Sequence, residues 1–351
     1  MAYGWTPRAH APAILKLPDI DLVAVCTAHK ETAIESAKKY GAPMAFHNHN
    51  EMLEKAELDA VAIVVRVPLH YQFTVDAIKA GKHVYTEWPL GVNLKEAQGM
   101  ADLVRKEGSL SMVGLQSRVS PVLMRTKDLI RDGYVGQVLS AHLEQFNSGV
   151  LSRTSSRTWQ KDKSLGATTL SIAFGHSVDA LCMCLGEFGS ISATVRTQVP
   201  EWRETDTGRI VDVDAPDNIL VNGVLKNGAA ISIHVGSIPY NGSGYRFEIY
   251  GSEGTLVVKS SGTPAIDEAR LYGFRGESPR LTRMRIPKRY TWIPDDVPTG
   301  APFNIAQLWY GFCQAIYRGR GMEPNFGLAV RRHELLDAVQ TASDTGQTQY
   351  L

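Results

Sequence analysis

Cysteine is scarce in this chain, and its few occurrences match neither a disulfide framework nor a metal site. Four cysteines are spread over 351 residues, which argues against a small protein held together by disulfide bonds. Cys182 and Cys184 would point to different faces of a helix, so we expect ordinary buried thiols. His47 and His49 have no cysteine or acidic residue at a ligand spacing, and we predict a surface loop and no bound metal there.

An excess of charge of one sign is also lacking, as are long apolar runs. The 37 lysines and arginines nearly balance 36 acidic residues, for a net charge of +1, so no overall field attracts nucleic acid or an anionic membrane. No window is apolar over the roughly 18 residues that a membrane span needs, and no basic segment leads into an apolar run at the N-terminus. We therefore predict a cytoplasmic protein of two domains that binds neither nucleic acid nor a membrane.

Short apolar runs alternate with amphipathic helices through the first third of the chain. Three of these helices end at a glycine, namely Gly41, Gly81 and Gly108, which is a common helix stop. Strands that are apolar throughout and alternate strictly with helices predict a parallel sheet covered on both faces. The expected strands are DLVAVC (21–26), LDAVAIVV (58–65), HVYTE (83–87) and SMVGLQ (111–116).

Beyond a boundary that we place after residue 118, the pattern changes to longer strands joined by hairpin turns. Lys226-Asn227-Gly228 and Ser252-Glu253-Gly254 are typical of such turns. Residues 261–300 are predicted to be loops, and two helices close the chain. The predicted fold is thus α/β: a doubly wound parallel sheet in residues 1–118, and an α+β domain with a large, mainly antiparallel, open-faced sheet in residues 119–351.

An ordered set of motifs makes the chain similar to a known family. It resembles the Gfo/Idh/MocA oxidoreductases, and EWPLG with TLSIAFGHSVDALCMCLGEF is most similar to the branch that contains the fungal galactose-regulon repressor. The resemblance implies a Rossmann-type dinucleotide domain, a C-terminal sheet through which the chain forms a homo-oligomer (dimer or tetramer), and a sugar-like alcohol oxidised between the domains. The motifs are LHYQFTVDAIKAGKHVYTEWPLGVNLKEA, GLQSRVSPVLMRTKDLIRDGYVGQVLS, GATTLSIAFGHSVDALCMCLGEF and FEIYGSEGTLVV.

The glycine-rich turn that holds the phosphates of a dinucleotide is largely absent from this sequence. In the family, the first strand leads into that turn, and the next helix begins at the pyrophosphate. Only Gly4-Trp5-Thr6 resembles the distal end of the turn, and too few residues precede it for a strand of about five or six residues. Because that strand is central in the 3-2-1-4-5-6 order, we expect the natural polypeptide to begin further upstream. A rearranged sheet, or a partner that fills the gap, is the alternative.

Residues after the predicted strands carry the remaining evidence on the cofactor. A domain that prefers NAD usually places a carboxylate after its second strand, whereas this chain has Thr27, His29 and Lys30. A cation there favours the 2′-phosphate, so we predict NADP(H) rather than NAD(H). The alternative is that Lys30 only begins a solvated helix.

The resemblance adds further residues to the cofactor surface. VRVPLH (65–70) is similar to the family's loop over the dinucleotide, so Arg66 and Pro68 would line the cofactor and His70 would open the next helix beside it. For His70, a purely structural helix start is the alternative. Glu87 ends HVYTE at the sheet edge where ligands of such folds bind.

The tripeptide Glu87-Trp88-Pro89 departs from the Glu-Lys-Pro motif of the family, in which the lysine shares proton transfer with a histidine. Trp88 cannot accept a proton, but its indole offers a flat apolar face and one N–H. That face suits the nicotinamide or a sugar ring, with plain packing as the alternative. The change leaves His176 as the main candidate for acid/base chemistry.

His176 lies in FGHSVD, which resembles the family segment whose histidine reaches the substrate hydroxyl. An imidazole titrates near neutral pH, as such a base requires. Asp179 lies three residues on and on the same helical face, and we predict that it orients the imidazole or contacts substrate. Ile172 and Phe174 stand where the family often has a carboxylate and a glycine.

Four further residues are predicted to shape the substrate site, with solvated loop positions as the alternative. By the resemblance, Arg118 corresponds to a basic position near the interdomain cleft and Gln116 to a residue on its floor. Trp159 and Lys163 lie in a loop just before the histidine segment. The leading hypothesis is an NAD(P)-dependent oxidoreductase of a sugar or polyol. The alternatives are a non-catalytic regulator that senses dinucleotide, and a cofactor-independent member of the family.

Overall fold

The structure, a computed structural model, describes residues 6–149, 151–276 and 280–351. Its N-terminal part alternates short parallel strands with helices, as predicted, and Gly41, Gly81 and Gly108 end helices at φ values of 71°, 74° and 70°. The elements are α1 (Ala11–Ile14), β1 (Ala24–Cys26), α2 (Lys30–Tyr40), β2 (Met44–Phe46), α3 (His49–Lys55), β3 (Ala60–Ile63), α4 (His70–Lys79), β4 (His83–Glu87), α5 (Leu94–Glu107) and β5 (Ser111–Gly114). The surface loop expected around His49 is instead the start of α3, where His49 Nε2 lies 2.8 Å from Asp76 Oδ2.

The parallel strands of the described residues form two separate ladders. One joins β1 to β2, and the other runs in the order β3-β4-β5. β4 and β5 are almost wholly buried, whereas β1 and most of β3 are partly exposed although their residues are apolar. In the 3-2-1-4-5-6 order, the first strand lies between the strands that correspond to β1 and β3. The described residues provide no strand at that position.

The remaining elements build a large mixed sheet with helices, also as predicted. Nine strands follow the order β16-β15-β14-β13-β6-β12-β11-β8-β17, in which β6 and β12 pair in parallel and the other neighbours pair antiparallel. A small sheet of order β10-β9-β7 accompanies it. The elements are α6 (Pro121–Arg131), β6 (Val138–Ser148), β7 (Ser152–Arg153), α7 (Gly175–Leu185), β8 (Phe188–Arg196), β9 (Glu201–Glu204), β10 (Ile210–Asp212), β11 (Asn218–Leu225), β12 (Ala230–Ile238), β13 (Gly244–Gly251), β14 (Gly254–Ser260), β15 (Ala269–Arg275), β16 (Thr282–Arg283), α8 (Ala301–Tyr317), α9 (Phe326–Thr345) and β17 (Gln349–Tyr350).

The prediction that residues 261–300 are loops was wrong for β15. This strand pairs antiparallel with β14 over its whole length. Leu271 is buried whereas its neighbour Arg270 is exposed, so successive side chains alternate between the protein interior and solvent, as expected of a strand.

The chain divides into two compact units, but not at the predicted place. The first unit comprises residues 1–115 and 291–330, and the second comprises 116–290 and 331–351. The sequence analysis assigned 291–330 to the second domain. These residues join the first unit because Trp309 of α8 stacks on Tyr85 of β4 with ring centroids 4.8 Å apart, and because Val113 N–H donates to Pro324 O over 2.9 Å.

One helical segment of the described residues, Lys163–Leu185, is long and apolar enough to cross a membrane, with a mean hydropathy of 1.3. The sequence analysis expected no such window. The segment is weak evidence for a membrane span, since 67% of the window is buried inside the protein, as in the core helix of a soluble protein.

Candidate active site

A buried histidine holds Glu87 at the carboxyl end of β4. His10 places Nε2 2.8 Å from Glu87 Oε1, and Trp309 Nε1 donates to His10 Nδ1 over 3.1 Å. Since the indole donates to Nδ1, the proton of a neutral ring sits on Nε2 and is donated to the carboxylate. His10 is only 1% exposed. The chain Trp309–His10–Glu87 therefore fixes one carboxylate oxygen at the ligand edge of the parallel strands.

His10 ends a π-helical turn, Thr6–His10, that leads into α1. Of the three residues predicted at the phosphate turn, Thr6 begins this π-turn, and Gly4 and Trp5 lie outside the described residues. The sequence analysis did not single out His10. Its partner Trp309 is 299 positions away along the chain, so no local spacing indicates the contact.

His70 clamps two loops at the same edge of the sheet. Its Nδ1 lies 2.8 Å from Pro89 O and its Nε2 lies 3.2 Å from Val65 O. The ring is 1% exposed, and this burial lowers the pKa of His70, although the two carbonyl contacts oppose the shift. The residue acts on the loops after β3 and β4 and is not placed to touch a ligand directly.

The other cofactor positions fall into an exposed and a buried group. Lys30 begins α2 and is exposed, as are His29 before it and Arg66 after β3, while Pro68 is partly exposed. Thr27 follows β1, and its hydroxyl donates to His29 O over 2.9 Å. Trp88 is 5% exposed, so little of its indole face is accessible.

In the second unit, His176 occupies the first turn of α7, directly after another π-helical turn, Leu170–Phe174. The wide turn is closed by the bond from Phe174 N–H to Thr169 O over 2.9 Å. Single π-turns within helices frequently mark functional sites. His176 is partly exposed, whereas Phe174 is fully buried.

Asp179 is held between two arginines. Its carboxylate accepts from Arg118 Nε over 2.9 Å and from Arg332 Nε over 3.0 Å, and Arg332 in turn donates to Glu187 over 2.8 Å. The side chains of Asp179 and Arg332 are both 0% exposed. Asp179 therefore anchors α7, which carries His176, and Arg118 is committed to the same network. The sequence gives no signal for this network, because Arg332 stands in a charged stretch between Arg331 and His333 of α9.

Acidification is expected to weaken this network, and the change Glu187→Gln isolates the contribution of Glu187. Burial alone would raise the pKa of Glu187, but the guanidinium of Arg332 outweighs it and holds the pKa below the ordinary value of 4.5. Such a carboxyl group stabilises the folded state above its unfolded pKa, and the contribution is lost as the pH falls through the folded pKa.

Urea unfolding at a series of pH values checks this expectation. The free energy of unfolding of the native chain should fall more steeply between pH 5 and pH 3 than that of Glu187→Gln. Parallel pH profiles for the two proteins would show that the pair contributes nothing.

The remaining predicted substrate residues belong to 3-10 turns of the second unit. Gln116 is buried at the start of a 3-10 turn, and Trp159 is partly exposed in another, Ser155–Lys161. Lys163 is exposed, and its backbone N–H donates to Asp214 Oδ1 over 2.8 Å. Among the residues that the structure describes, no three His, Cys, Asp or Glu side chains are grouped so as to hold a metal ion.

Comparison with known proteins gives two family matches. Residues 3–115 match the model of the family described as GFO_IDH_MocA, the oxidoreductase family with an NAD-binding Rossmann fold, and residues 121–260 match the C-terminal domain of Gal80p.

Three curated relatives are similar over part or most of the chain. Dehydrogenase aclE of Aspergillus oryzae is 30% identical over 211 residues, 58% of either protein. Levoglucosan dehydrogenase of Pseudarthrobacter phenanthrenivorans is 26% identical and covers 78% of this chain, which spans 77% of that protein. The regulatory protein GAL80 of Saccharomyces cerevisiae is 27% identical over 65% of this chain. The chain spans only 58% of the length of aclE and 56% of that of GAL80.

Solved structures share the fold. Levoglucosan dehydrogenase in complex with NADH and levoglucosan superposes with a TM-score of 0.85 at 21% identity, covering 99% of this chain and 96% of that one. A super-repressor mutant of Gal80p from Saccharomyces cerevisiae superposes with a TM-score of 0.87 at 21% identity, covering 100% and 96%. The fold is therefore shared by a dehydrogenase and by a regulator.

Proposed function

This chain belongs to the Gfo/Idh/MocA oxidoreductase family, with a Gal80-like C-terminal domain, and from that premise we propose that it oxidises a hydroxyl group of a sugar, polyol or similar compound with a nicotinamide dinucleotide. His176 accepts the hydroxyl proton. The observation that carries the proposal is the position of His176, which is partly exposed, follows a π-turn and stands on a helix anchored through Asp179.

The first unit has residues that fit a dinucleotide. The exposed cations Lys30 and Arg66 follow β1 and β3 at the carboxyl edge of the strands, where ligands of such sheets bind. Their charge suits the phosphates, and Glu87 is fixed nearby at the end of β4 by His10. When bound, the nicotinamide accepts the hydride from the carbon that carries the hydroxyl.

The roles of the chain's own residues follow from their contacts. Trp88 cannot take a proton, so proton transfer falls to His176 alone. Asp179 is a positioning residue, since both its oxygens face guanidinium groups. Trp159 and Lys163 stay the proposed substrate contacts of the second unit, and Gln116 is proposed at the base of the site.

Turnover tests this proposal. The purified chain is incubated with NAD⁺ or NADP⁺ and a panel of sugars and polyols, and reduced nicotinamide is followed by absorbance. Substrate-dependent reduction supports the proposal. The second candidate is a regulator that senses dinucleotide. The match to the Gal80p C-terminal domain and the loss of the motif lysine at Trp88 support it. Saturable binding of a dinucleotide without its reduction on any substrate would favour this candidate. Absence of dinucleotide binding would contradict both.

We also propose NADP(H) as the preferred cofactor, because Lys30 is exposed at the start of α2, the helix that follows β1. The change Lys30→Glu is expected to weaken NADPH binding about tenfold or more, because repulsion replaces a charge-assisted contact to the 2′-phosphate. NADH binding should be nearly unchanged, since NADH lacks this phosphate. Fluorescence titration with each reduced cofactor measures both affinities.

Lys38→Glu is the matched control for this change. Lys38 is also exposed on α2 but lies near the other end of the helix, so both affinities should stay within about twofold. An unchanged ratio of NADPH to NADH affinity in Lys30→Glu would contradict the assignment.

A homo-oligomer, dimer or tetramer, through the nine-stranded sheet is part of the proposal. Exposed apolar side chains on β11 and β13 support it, and they are Leu220, Val224 and Tyr250, which the strand register places on one face of the sheet. Large apolar groups clustered on one surface often mark an interface. A cytoplasmic location stays a prediction from the sequence.

A further inference from the structure

A small cavity in the second unit is lined by two arginine side chains. It has a volume of about 140 Å³, room for a few water molecules of about 30 Å³ each or for one small ionic group. It lies beside the small sheet and the π-turn that precedes His176. The lining residues that matter here are Arg153, Arg157, Thr168, Trp202, Asp217 and Ser237.

Arg153 is the central cation of this cavity. Its guanidinium stacks on the Trp202 ring at 4.2 Å from the centroid, and one terminal nitrogen donates to Gln160 Oε1 over 2.8 Å. In the part of the chain that the structure describes, no carboxylate lies within ion-pair distance of Arg153, and its buried Nε has no acceptor. Burial, and then the nearby charge of Arg157, lower the pKa of Arg153 to about 10, so it is still a cation at neutral pH.

Trp202 contributes a second donor. It is 4% exposed, and within the described residues its buried indole N–H also has no acceptor. Buried polar groups are nearly always hydrogen-bonded, and each exception requires an explanation. Both nitrogen atoms are enclosed by the protein, whereas the Arg153 side chain as a whole is partly exposed and lines the cavity, so an anion there would meet the remaining guanidinium nitrogens.

The carboxylate that lines the cavity and the side-chain oxygen of Gln160 already accept hydrogen bonds from the protein. Asp217 is the only carboxylate among the lining residues, and its two oxygens accept from Gln198 N–H over 2.9 Å and from Val199 N–H over 2.8 Å. Arg157 is exposed and shares Gln160 Oε1 with Arg153. The cavity thus combines two cations with one carboxylate that already accepts bonds from the backbone.

We propose that this cavity binds an oxyanion, the carboxylate or phosphate group of a small molecule, through the guanidinium of Arg153. The planar fork of an arginine matches two oxygens of either group and forms charge-assisted hydrogen bonds with them. Trp202 holds the guanidinium by stacking on it. The inference goes beyond the proposed oxidation, because anion binding needs no turnover and is measured without it.

Binding of three hexoses tests the proposal. The full chain is titrated with glucose 6-phosphate, glucuronate and neutral glucose, and binding is followed by calorimetry and by tryptophan fluorescence, which reports on Trp202. At least one of the two anions is expected to bind about tenfold or more tightly than glucose. The comparison of the two anions shows whether phosphate or carboxylate is the preferred group.

Three variants assign the effect to Arg153. Arg153→Met removes the charge and is expected to weaken binding of the preferred anion about tenfold or more, and Arg153→Lys, which keeps the charge but loses the fork, is expected to give an intermediate loss. Arg203→Met is the matched control. Arg203 is next to Trp202 on β9, but its side chain is exposed on the opposite face. The affinity of Arg203→Met for the anion should therefore stay within about twofold of that of the native chain.

Two outcomes would overturn the proposal. One is that neither anion binds the native chain more tightly than glucose. The other is that Arg153→Met, or Arg153→Lys if the methionine variant does not fold, binds the anion as the native chain does. A chain that binds the anion but reduces no dinucleotide would contradict the proposed oxidation and leave the anion site supported.

Discussion

Replacing Asp179 with asparagine is expected to lower the free energy of unfolding by about 3 to 5 kcal/mol, because the change removes one partner of a buried ion network. The carboxylate is 0% exposed and bonded to Arg118 and Arg332. Asparagine keeps the size of the side chain but loses the negative charge, and its amide N–H group would face guanidinium donors. Arg332, also 0% exposed, is then left with Glu187 as its only charged partner.

Urea unfolding followed by circular dichroism measures this effect as a lower midpoint at an unchanged slope. Glu253→Gln is the matched control, since Glu253 pairs with Arg275 over 2.7 Å in the same unit, but both side chains are about half exposed, 56% and 48%. Exposed pairs contribute about 1 kcal/mol or less. Equal losses in the two variants would show that Asp179 does not stabilise the second unit.

The same network includes partners of Asp179 that the sequence analysis did not identify. The spacing of Asp179 from His176 predicts a shared helical face and hence a contact. Spacing identifies a face but not a partner, and a carboxylate attracts a permanently charged guanidinium more strongly than an imidazole that is neutral near pH 7. Arg332 lies 153 positions from Asp179, so the sequence pattern of α7 does not predict their contact.

Periodic elements were predicted well because their signals are local. The strand HVYTE has the predicted bounds as β4, and the glycine stops at Gly41 and Gly108 adopt the left-handed conformation that ends a helix. The short strand β2 was not predicted, since three residues carry no period. The place of α8 in the first unit depends on a contact between Trp309 and Tyr85 that only the folded chain creates.

His176→Ala is expected to reduce kcat for oxidation about 10²- to 10⁴-fold, the usual contribution of a general base. Trp88 stands in place of the motif lysine and cannot take the proton, so we expect this loss to lie at the upper end. The affinity for NADPH should be unchanged, because the residues proposed to hold the dinucleotide belong to the first unit and His176 belongs to the second.

His142→Ala is the matched control for this variant. His142 is another partly exposed histidine of the second unit, on β6, and its Nδ1 lies 2.8 Å from Ser232 Oγ. Since it lies in a strand rather than behind the π-turn, its removal should leave kcat and KM nearly unchanged.

The comparison of kcat with KM decides between a chemical and a structural role for His176. An acid/base group acts mainly in the transition state, so its loss lowers kcat and kcat/KM together. A residue that only shapes the pocket would raise KM with kcat retained. If His176→Ala turns over at the native rate, another group must accept the proton. The π-turn before α7 would then contribute to the packing of Phe174 and would not serve to position an imidazole.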